Sequence, residues 1–229
     1  MHVRWAIIVG GGSGARIGGE MPKQFMTIAG KPVIIHTIAA FLNAEPDIKL
    51  IAVIPEDYKQ KLKTLLKEFF PTNEIKICTG GTTRFDSVKN GLSAIKEEEG
   101  VVAVHDAVRP MVSPDLIRRC FIAAQQKTSA IPAIELKDSI RKKDDSGKFI
   151  AMKRDDFKII QTPQVFEINL LRKAYMQSFN PDFTDDASVV ERSKGKINLV
   201  EGDPENIKIT YPVDLEFVSY LLEKRNGEY

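Results

Sequence analysis

The sequence has little of several things that define other classes of protein. Its 229 residues include two cysteines, Cys78 and Cys120, which are too few and too far apart for a disulfide framework or a zinc knuckle. Its 33 basic and 31 acidic residues give a net charge of +2, without the basic stripe typical of nucleic-acid-binding proteins. No apolar run reaches the roughly 18 residues of a membrane span. We therefore expect reduced thiols and neither nucleic acid nor membrane as a partner.

We also expect no targeting segment. The first residues, MHVRWAIIVG, run straight into a predicted strand and leave no room for a signal peptide. We therefore expect a cytoplasmic protein. A chain of 229 residues with 43% hydrophobic residues is long enough to bury one large core, which predicts a single domain over residues 1–229.

Strand-like and helix-like segments alternate along most of the chain. The run at 6–9, AIIV, is apolar on both faces, which is typical of a buried strand in a parallel sheet. Further strands are predicted at 49–54, 74–81, 100–107, 129–136 and 196–200. Helices are predicted at 32–43, 56–70, 84–98, 114–126, 167–179, 185–194 and 212–224. This alternation predicts an α/β three-layer sandwich with a mostly parallel, Rossmann-like sheet.

The segment 137–160 breaks this rhythm. Two short β-like runs flank the turn sequence DDSG at 144–147, and core-sized apolar residues are almost missing from its middle. The pattern predicts a hairpin that projects from the body of the protein. Because an isolated hairpin is marginally stable in water, we expect this hairpin to pack against another surface, such as that of a second subunit.

A glycine-rich loop follows the first strand and indicates a phosphate-binding site. Gly10, Gly12 and Ala15 satisfy the dinucleotide pattern G-x-G-x-x-G/A, but that pattern also requires an acidic residue about 20 positions later, at the end of the second strand. The second strand here ends near residue 54, so this half of the pattern fails. The P-loop string of Walker-type ATPases is not present either. A nicotinamide dehydrogenase is therefore a distant alternative.

Two cations, Arg16 and Lys23, lie within or just behind this loop. They suit a triphosphate, because phosphoryl and nucleotidyl transfer depend on positive charge aimed at the non-bridging oxygens. The alternative is that both are solvated loop residues, the usual state of exposed charges. The loop alone does not separate these two interpretations.

Two more motifs follow predicted strands. The sequence GGTTRFDSV at 80–88 is a second glycine turn, and VHDAVRP at 104–110 places Asp106 and then Arg109 at the carboxyl end of a strand. Ligands lie at that edge of open α/β sheets. A hard divalent ion bound to nucleotide phosphates takes one or two carboxylates, so Asp106 is a candidate Mg²⁺ ligand. We interpret His105 as a hydrogen-bonded strand residue.

Six strings in a fixed order then identify a resemblance. They are GGGSGARIGGEMPKQF, GGTTRFDSVKNGL, HDAVRP, QTPQVF, TDDASVVE and NIKITYPVDL. Together they resemble the 2-C-methyl-D-erythritol 4-phosphate cytidylyltransferases of the non-mevalonate isoprenoid pathway, over roughly residues 3–220. The resemblance implies attack of the methylerythritol phosphate on the α-phosphorus of CTP, with release of pyrophosphate.

The resemblance also implies roles for individual residues. Arg16 and Lys23 match the residues that stabilise the pentacoordinate transition state. Lys208 matches the lysine that holds the substrate phosphate near the α-phosphorus. Arg154 matches the arginine at the end of a dimerisation arm, which reaches the neighbouring subunit's substrate, and Ser139 falls where the family's arm has a threonine. The predicted hairpin is then the arm of a homodimer.

Further contacts are implied by the same matches. Substrate contacts fall on Asp106, Arg109 and Thr184. Contacts with CTP fall on Gly10, Gly11, Gly12, Gly14, Gly81, Thr82 and Ser87.

The chain departs from the family's common pattern at a few positions. The loop begins with three glycines at 10–12 where the family often reads A-A-G, and Thr82 replaces a frequent Asp. HDAVRP rather than HDAARP also occurs in ribitol-5-phosphate cytidylyltransferases of teichoic acid synthesis, whereas DSVKNGL and TDDAS favour the methylerythritol enzyme. The ribitol enzyme is therefore the alternative function. A non-catalytic nucleotide-binding protein is a more distant alternative, since its site would usually have lost a charged residue.

Overall fold

The computed structural model describes residues 3–11, 21–225 and 227. Its strands are β1 (Arg4–Val9), β2 (Thr27–Ile28), β3 (Lys31–Pro32), β4 (Lys49–Ile54), β5 (Ile75–Thr79), β6 (Val101–Asp106), β7 (Ser129–Glu135), β8 (Arg141–Lys143), β9 (Phe149–Ala151), β10 (Lys158–Ile160), β11 (Gln164–Glu167) and β12 (Leu199–Glu201). Its helices are α1 (Val33–Ala44), α2 (Lys59–Phe69), α3 (Arg84–Ser93), α4 (Pro114–Lys127), α5 (Ile168–Ala174), α6 (Asp186–Arg192) and α7 (Pro212–Arg225). Within the described ranges, no helix is both long enough and apolar enough to cross a membrane.

Eight strands form one sheet in the order β10-β7-β11-β6-β1-β4-β5, with β12 paired to β7. The central strands β6, β1, β4 and β5 are parallel. In their register, Val9 lies beside both Val53 and Asp106. The carboxyl ends of these strands therefore meet at one edge, where open α/β sheets bind ligands.

Helices cover both faces of this sheet because its central strands are apolar on both sides. Along β1, Ala6 and Ile8 face one core, and Ile7 and Val9 face the other. Helices α1, α2 and α4 pack on the first face, and α3, α5 and α6 on the second. The three layers and the mostly parallel sheet confirm the predicted fold class.

The predicted hairpin forms, but it is shorter than the segment 137–160. Strands β8 and β9 pair antiparallel as a separate two-stranded sheet. Between them, the Asp144 carboxylate accepts hydrogen bonds from the backbone N–H groups of Ser146 and Lys148. Strand β10 instead pairs with β7 at the main sheet. We call residues 137–157 the arm from here on.

Several further elements differ from the sequence prediction. Strands β2 and β3 were not predicted, and α5 ends at Ala174 rather than at 179. Strand β11 lies antiparallel between β6 and β7, where no strand was predicted, because four residues after Pro163 are too few to reveal a periodicity. Helix α3 ends at Ser93 rather than at 98. Its last turn tightens, since the N–H of Ala94 donates to the carbonyl of Gly91, and Ile95 then enters the core.

Candidate active site

Two glycine turns form one side of the carboxyl edge. The N–H of Gly10 donates to Val53 O and that of Gly80 donates to Ile54 O, each at 2.8 Å. The backbone after β1 and the backbone after β5 therefore each stay paired with β4 for one more residue before they turn away. A Cβ on Gly11 would lie 2.9 Å from Ser87 Oγ, and one on Gly80 would lie 3.1 Å from it. Both glycine turns therefore approach the Ser87 side chain, and a side chain at position 11 would collide with it.

The second turn is fixed by the start of α3. Thr83 caps this helix through a capping box with Asp86, a motif that satisfies backbone N–H groups at a helix start. The Gly81 N–H donates to Ser87 Oγ at 3.0 Å, and Thr82 Oγ1 donates to Asp86 Oδ2 at 3.0 Å. Gly81, Thr82 and Ser87, which were predicted to contact CTP, therefore form one rigid turn.

Asp106, at the end of β6, is surrounded by cations. Its Oδ2 lies 3.0 Å from Lys208 Nζ and 3.2 Å from Arg109 Nε, and its Oδ1 lies 3.5 Å from Arg84 Nε. Burial alone would raise its pKa, but Arg84, Lys208 and Arg109 hold the pKa of Asp106 well below its usual range. The carboxylate is therefore ionised at neutral pH, and the site carries an excess of positive charge that suits phosphate groups.

A chain of hydrogen bonds fixes the backbone around Asp106. Its N–H donates to Thr162 Oγ1 at 3.1 Å, and this hydroxyl lies 3.0 Å from His105 Nδ1. The hydroxyl donates to Nδ1, because the other ring nitrogen, Nε2, faces a carbonyl oxygen and therefore carries the proton. His105 Nε2 then donates to Arg109 O at 3.2 Å. Burial lowers the pKa of His105 to about 3, so the imidazole stays neutral. His105 is thus the hydrogen-bonded strand residue that the sequence predicted.

Two lysines from opposite ends of the chain approach the same region. Lys23 is buried, and its Nζ donates to Thr210 O at 2.6 Å. Lys208, two residues before Thr210, contacts Asp106. The segment holding Lys208 is itself anchored, because Arg109 Nη1 donates to Asn206 O at 2.9 Å. Lys23, Lys208, Asp106 and Arg109 therefore lie around one site.

Arg84 and Asp186 also belong to this site, although neither was predicted. Arg84 Nη2 donates to Asp186 Oδ2 at 2.8 Å, and Tyr175 donates its hydroxyl to Asp186 Oδ1 at 2.6 Å. Both residues stand inside quoted motifs, RFDSV and TDDAS. Their pairing across 102 positions could have been proposed only from those motifs, because local periodicity carries no trace of it.

The remaining predicted residues are not part of this cluster. Thr184 is exposed just before α6, and Ser139 and Arg154 are exposed on the arm. Arg154 Nη1 donates to Lys137 O at 2.8 Å, within the arm itself. Gly12, Gly14 and Arg16 lie outside the described residues.

The carboxylates available for a metal ion are few. In the part of the chain that the structure describes, no group of three His, Cys, Asp or Glu side chains could hold one. Asp106 contacts cations through both of its oxygens, the longest contact being that of Oδ1 with Arg84 at 3.5 Å. These residues do not form a metal site by themselves, and a cation here would have to take most of its ligands from a bound molecule.

Comparison with known proteins defines first the class and then the family. A solved 4-diphosphocytidyl-2C-methyl-D-erythritol synthase from Anaerococcus prevotii matches with a TM-score of 0.83 and 29% identity, over 97% of this chain and 96% of that one. The 2-C-methyl-D-erythritol 4-phosphate cytidylyltransferase of Francisella tularensis matches with a TM-score of 0.78 and 27% identity, over 95% and 99%. The class is therefore that of the cytidylyltransferases, which are nucleotidyltransferases.

Sequence comparison narrows the class to one family. The sequence model of 2-C-methyl-D-erythritol 4-phosphate cytidylyltransferase matches residues 4–224. Proteins of that name from Bacteroides thetaiotaomicron and Bacteroides fragilis are 46% and 47% identical to this chain, over 94% and 96% of it and 98% and 99% of their own lengths. The chain belongs to the 2-C-methyl-D-erythritol 4-phosphate cytidylyltransferase family, which confirms the resemblance found in the sequence.

Proposed function

We propose that this protein transfers the cytidylyl group of CTP to 2-C-methyl-D-erythritol 4-phosphate, a step of non-mevalonate isoprenoid precursor synthesis. The products are 4-diphosphocytidyl-2-C-methyl-D-erythritol and pyrophosphate. The observation that carries the proposal is the group of cations around Asp106 at the carboxyl edge of the sheet, in a chain of this family. The enzyme then works in the cytoplasm, as a single nucleotidyltransferase domain that bears the arm.

In the reaction, an oxygen of the methylerythritol phosphate attacks the α-phosphorus of CTP. A new P–O bond forms, the bond from the α-phosphorus to the bridging oxygen breaks, and pyrophosphate leaves with that electron pair. Negative charge rises on the non-bridging oxygens, and catalysis comes mainly from cations already aimed at that charge. We assign this role to Lys23 and to Arg16, and we assign to Lys208 the task of holding the acceptor phosphate.

The nucleotide is proposed to lie against the two glycine turns. Gly10 pairs with Val53 at the end of β1, Gly11 approaches Ser87 closely, and Gly81 and Thr82 are exposed at the mouth of the second turn. Backbone groups there would pair with the edge of cytosine, with Gly12 and Gly14 completing the loop. Because leaving a buried group unpaired costs about 1–3 kcal/mol, CTP should be turned over faster than UTP.

The acceptor is proposed to bind on the Asp106 side of the site. Asp106 and Arg109 are buried there with fixed partners, and Thr184 is exposed at the start of α6. We further propose a homodimer in which Ser139 and Arg154 reach the acceptor from the partner subunit's arm. The exposed position of the arm and its apolar residues Phe149 and Ile150 support that proposal, since such side chains gain stability when another surface covers them.

Magnesium is proposed to arrive with the triphosphate. Mg²⁺ bound to nucleotides usually takes one or two carboxylates together with phosphate oxygens and water. Asp106 is the proposed protein contact, and when bound the ion would neutralise phosphate charge. The prediction is tested by adding EDTA and restoring activity with MgCl₂.

A substrate panel tests the proposed function. CTP is incubated with methylerythritol phosphate, with ribitol 5-phosphate or with no acceptor, and pyrophosphate release is measured beside equilibrium dialysis of CTP. Release that requires methylerythritol phosphate supports the proposal. Faster release with ribitol 5-phosphate would transfer the assignment to the teichoic acid enzyme, and CTP binding without release would make the protein a nucleotide-binding module.

A further inference from the structure

We propose that Arg84 is a positioning residue for the acceptor, acting through Asp106 while being held in place by Asp186 and Tyr175. The inference rests on the proposed function. It assigns a task to the carboxylate–arginine–carboxylate chain that joins β6, α3 and α6.

The backbone of Arg84 is held in place independently of the contacts that its side chain makes. Arg84 is the first residue of α3, directly after the capping residue Thr83. The guanidinium thus starts from a rigid point beside the glycine turn. A planar fork of donors that begins from a fixed backbone can hold two carboxylates at defined angles, which an ammonium group cannot do.

The guanidinium binds one carboxylate more closely than the other. Nη2 lies 2.8 Å from Asp186 Oδ2, whereas Nε lies 3.5 Å from Asp106 Oδ1. Asp186 has no exposed side-chain surface, and burial together with the Arg84 and Tyr175 contacts leaves it little freedom. Burial opposes the charge of Arg84, but attraction to Asp186 and Asp106 raises its pKa above the ordinary value. Asp186 is therefore the anchor, and Asp106 is the group that is steered.

The steering has a specific consequence at Asp106. Lys208 and Arg109 both contact Oδ2, so among the described residues Arg84 is the cation that contacts Oδ1. Without Arg84, the orientation of the Asp106 carboxylate would depend on the two cations that contact Oδ2. Oδ1 is the oxygen that faces fewer partners, and it is the one that we expect a hydroxyl of the acceptor to use. Arg84 would then affect acceptor binding and not CTP binding.

Two variants test the assignment, Arg84→Lys and Asp186→Asn. Each keeps a polar group of similar size but ends the two-carboxylate grip. We expect each to raise the KM for methylerythritol phosphate about tenfold, the size of effect typical of coupled contacts. The Kd for CTP, measured without Mg²⁺, should stay within about twofold, since the proposed contacts of the nucleotide itself are untouched. Because the two residues act as one unit, the double variant should be no worse than either single variant.

Arg119→Lys is the matched control. Arg119 lies on α4 with its side chain 40% exposed, and it binds Asp115 and the carbonyl of Glu201. The kinetic constants of Arg119→Lys should therefore equal those of the wild type. Wild-type turnover in the substrate panel tests the proposed function separately. An unchanged acceptor KM in Arg84→Lys would overturn the inference, and so would an equal loss of CTP affinity, which would make Arg84 a nucleotide ligand. If Asp186→Asn does not fold, Arg84→Lys decides alone, because its side chain is 30% exposed and tolerates the exchange.

Discussion

The Asp106 cluster and the arm hold their charged residues in opposite ways. The Asp106 side chain is 9% exposed and contacts three cations, two of which, Arg84 and Lys208, come from distant parts of the chain. The Arg154 side chain is 57% exposed, and its contacts are with Lys137 and Asp155 of the same arm. Buried charges fixed by several partners are preorganised, whereas exposed pairs contribute little. The cations around Asp106 are thus fixed within one subunit, whereas the proposed role of Arg154 requires a second subunit.

The largest expected effect is on Lys23, inside the preorganised part. Lys23→Ala should lower kcat about 10²–10³-fold, the usual loss when one group that stabilises transition-state charge is removed. The Kd for CTP should change little. Lys63→Ala, an exposed lysine of α2, serves as the control. Normal kcat with a raised KM would make Lys23 a binding residue and weaken the contrast with the arm.

The next effect is on the stability of the cluster. Asp106→Asn leaves Arg109 and Lys208 without their counter-charge, and loss of one partner in a buried ion pair costs about 3 kcal/mol. Urea unfolding at neutral pH measures the change. The low pKa of Asp106 means that its contribution is present above about pH 4 and is lost as the pH falls below that. A variant as stable as the wild type would show that the cluster is not a buried network.

A smaller effect concerns the neutral imidazole beneath the site. The folded protein keeps His105 unprotonated down to about pH 3, while the unfolded chain takes up a proton near pH 6.5, so stability falls as pH decreases. Between about pH 7.5 and 5 this costs roughly 2 kcal/mol, and His105→Gln should remove that drop. His36, whose pKa burial also lowers, acts in the same direction, so His36→Gln is the control that keeps the His105 part. A slope unchanged by His105→Gln would mean that this residue is protonated in the folded state.

The smallest effect is expected in the arm. Asp144→Ala removes the acceptor of the Ser146 and Lys148 N–H groups, so amide hydrogen exchange at Lys148 should become faster. The midpoint of urea unfolding should not change, because the hairpin lies outside the three hydrophobic cores. A segment outside the cores opens locally, without unfolding the rest of the protein. A lowered midpoint would place the arm in the same cooperative unit as the Asp106 cluster.

Much of the fold could be predicted because its signals are local. The apolar runs of β4 and β6 and the helical pattern at 114–126 are each carried by consecutive residues, and the structure confirms all three predictions. Strand β11 and the end of α3 escaped prediction, since the first is set by pairing with distant strands and the second by a tightened last turn.

The site divides along the same line. The glycine turns, Asp106 and Arg109 could be predicted as site residues because they lie at or just after the end of a strand. Lys208 could be predicted only from the resemblance. The link from Arg84 to Asp186 could not be predicted, because it depends on α3 and α6 packing on the same face of the sheet.

Mixing two inactive variants tests the central claim, that one site is built from two subunits. Lys23→Ala removes a proposed catalytic cation of the subunit itself, and Arg154→Ala removes the cation that the arm is proposed to supply. The Arg154→Ala variant should have impaired use of the acceptor, while its CTP affinity should be nearly unchanged. Arg154 is suited to grip a phosphate through two hydrogen bonds.

After subunit exchange, half of the dimers are mixed, and each mixed dimer has one site with both residues intact. The mixture should therefore regain about a quarter of the wild-type activity in a closed two-fold dimer. Mass spectrometry of differently tagged subunits verifies that exchange has occurred. A mixture that stays inactive after verified exchange, or a chain that sediments as a monomer, would contradict the shared site.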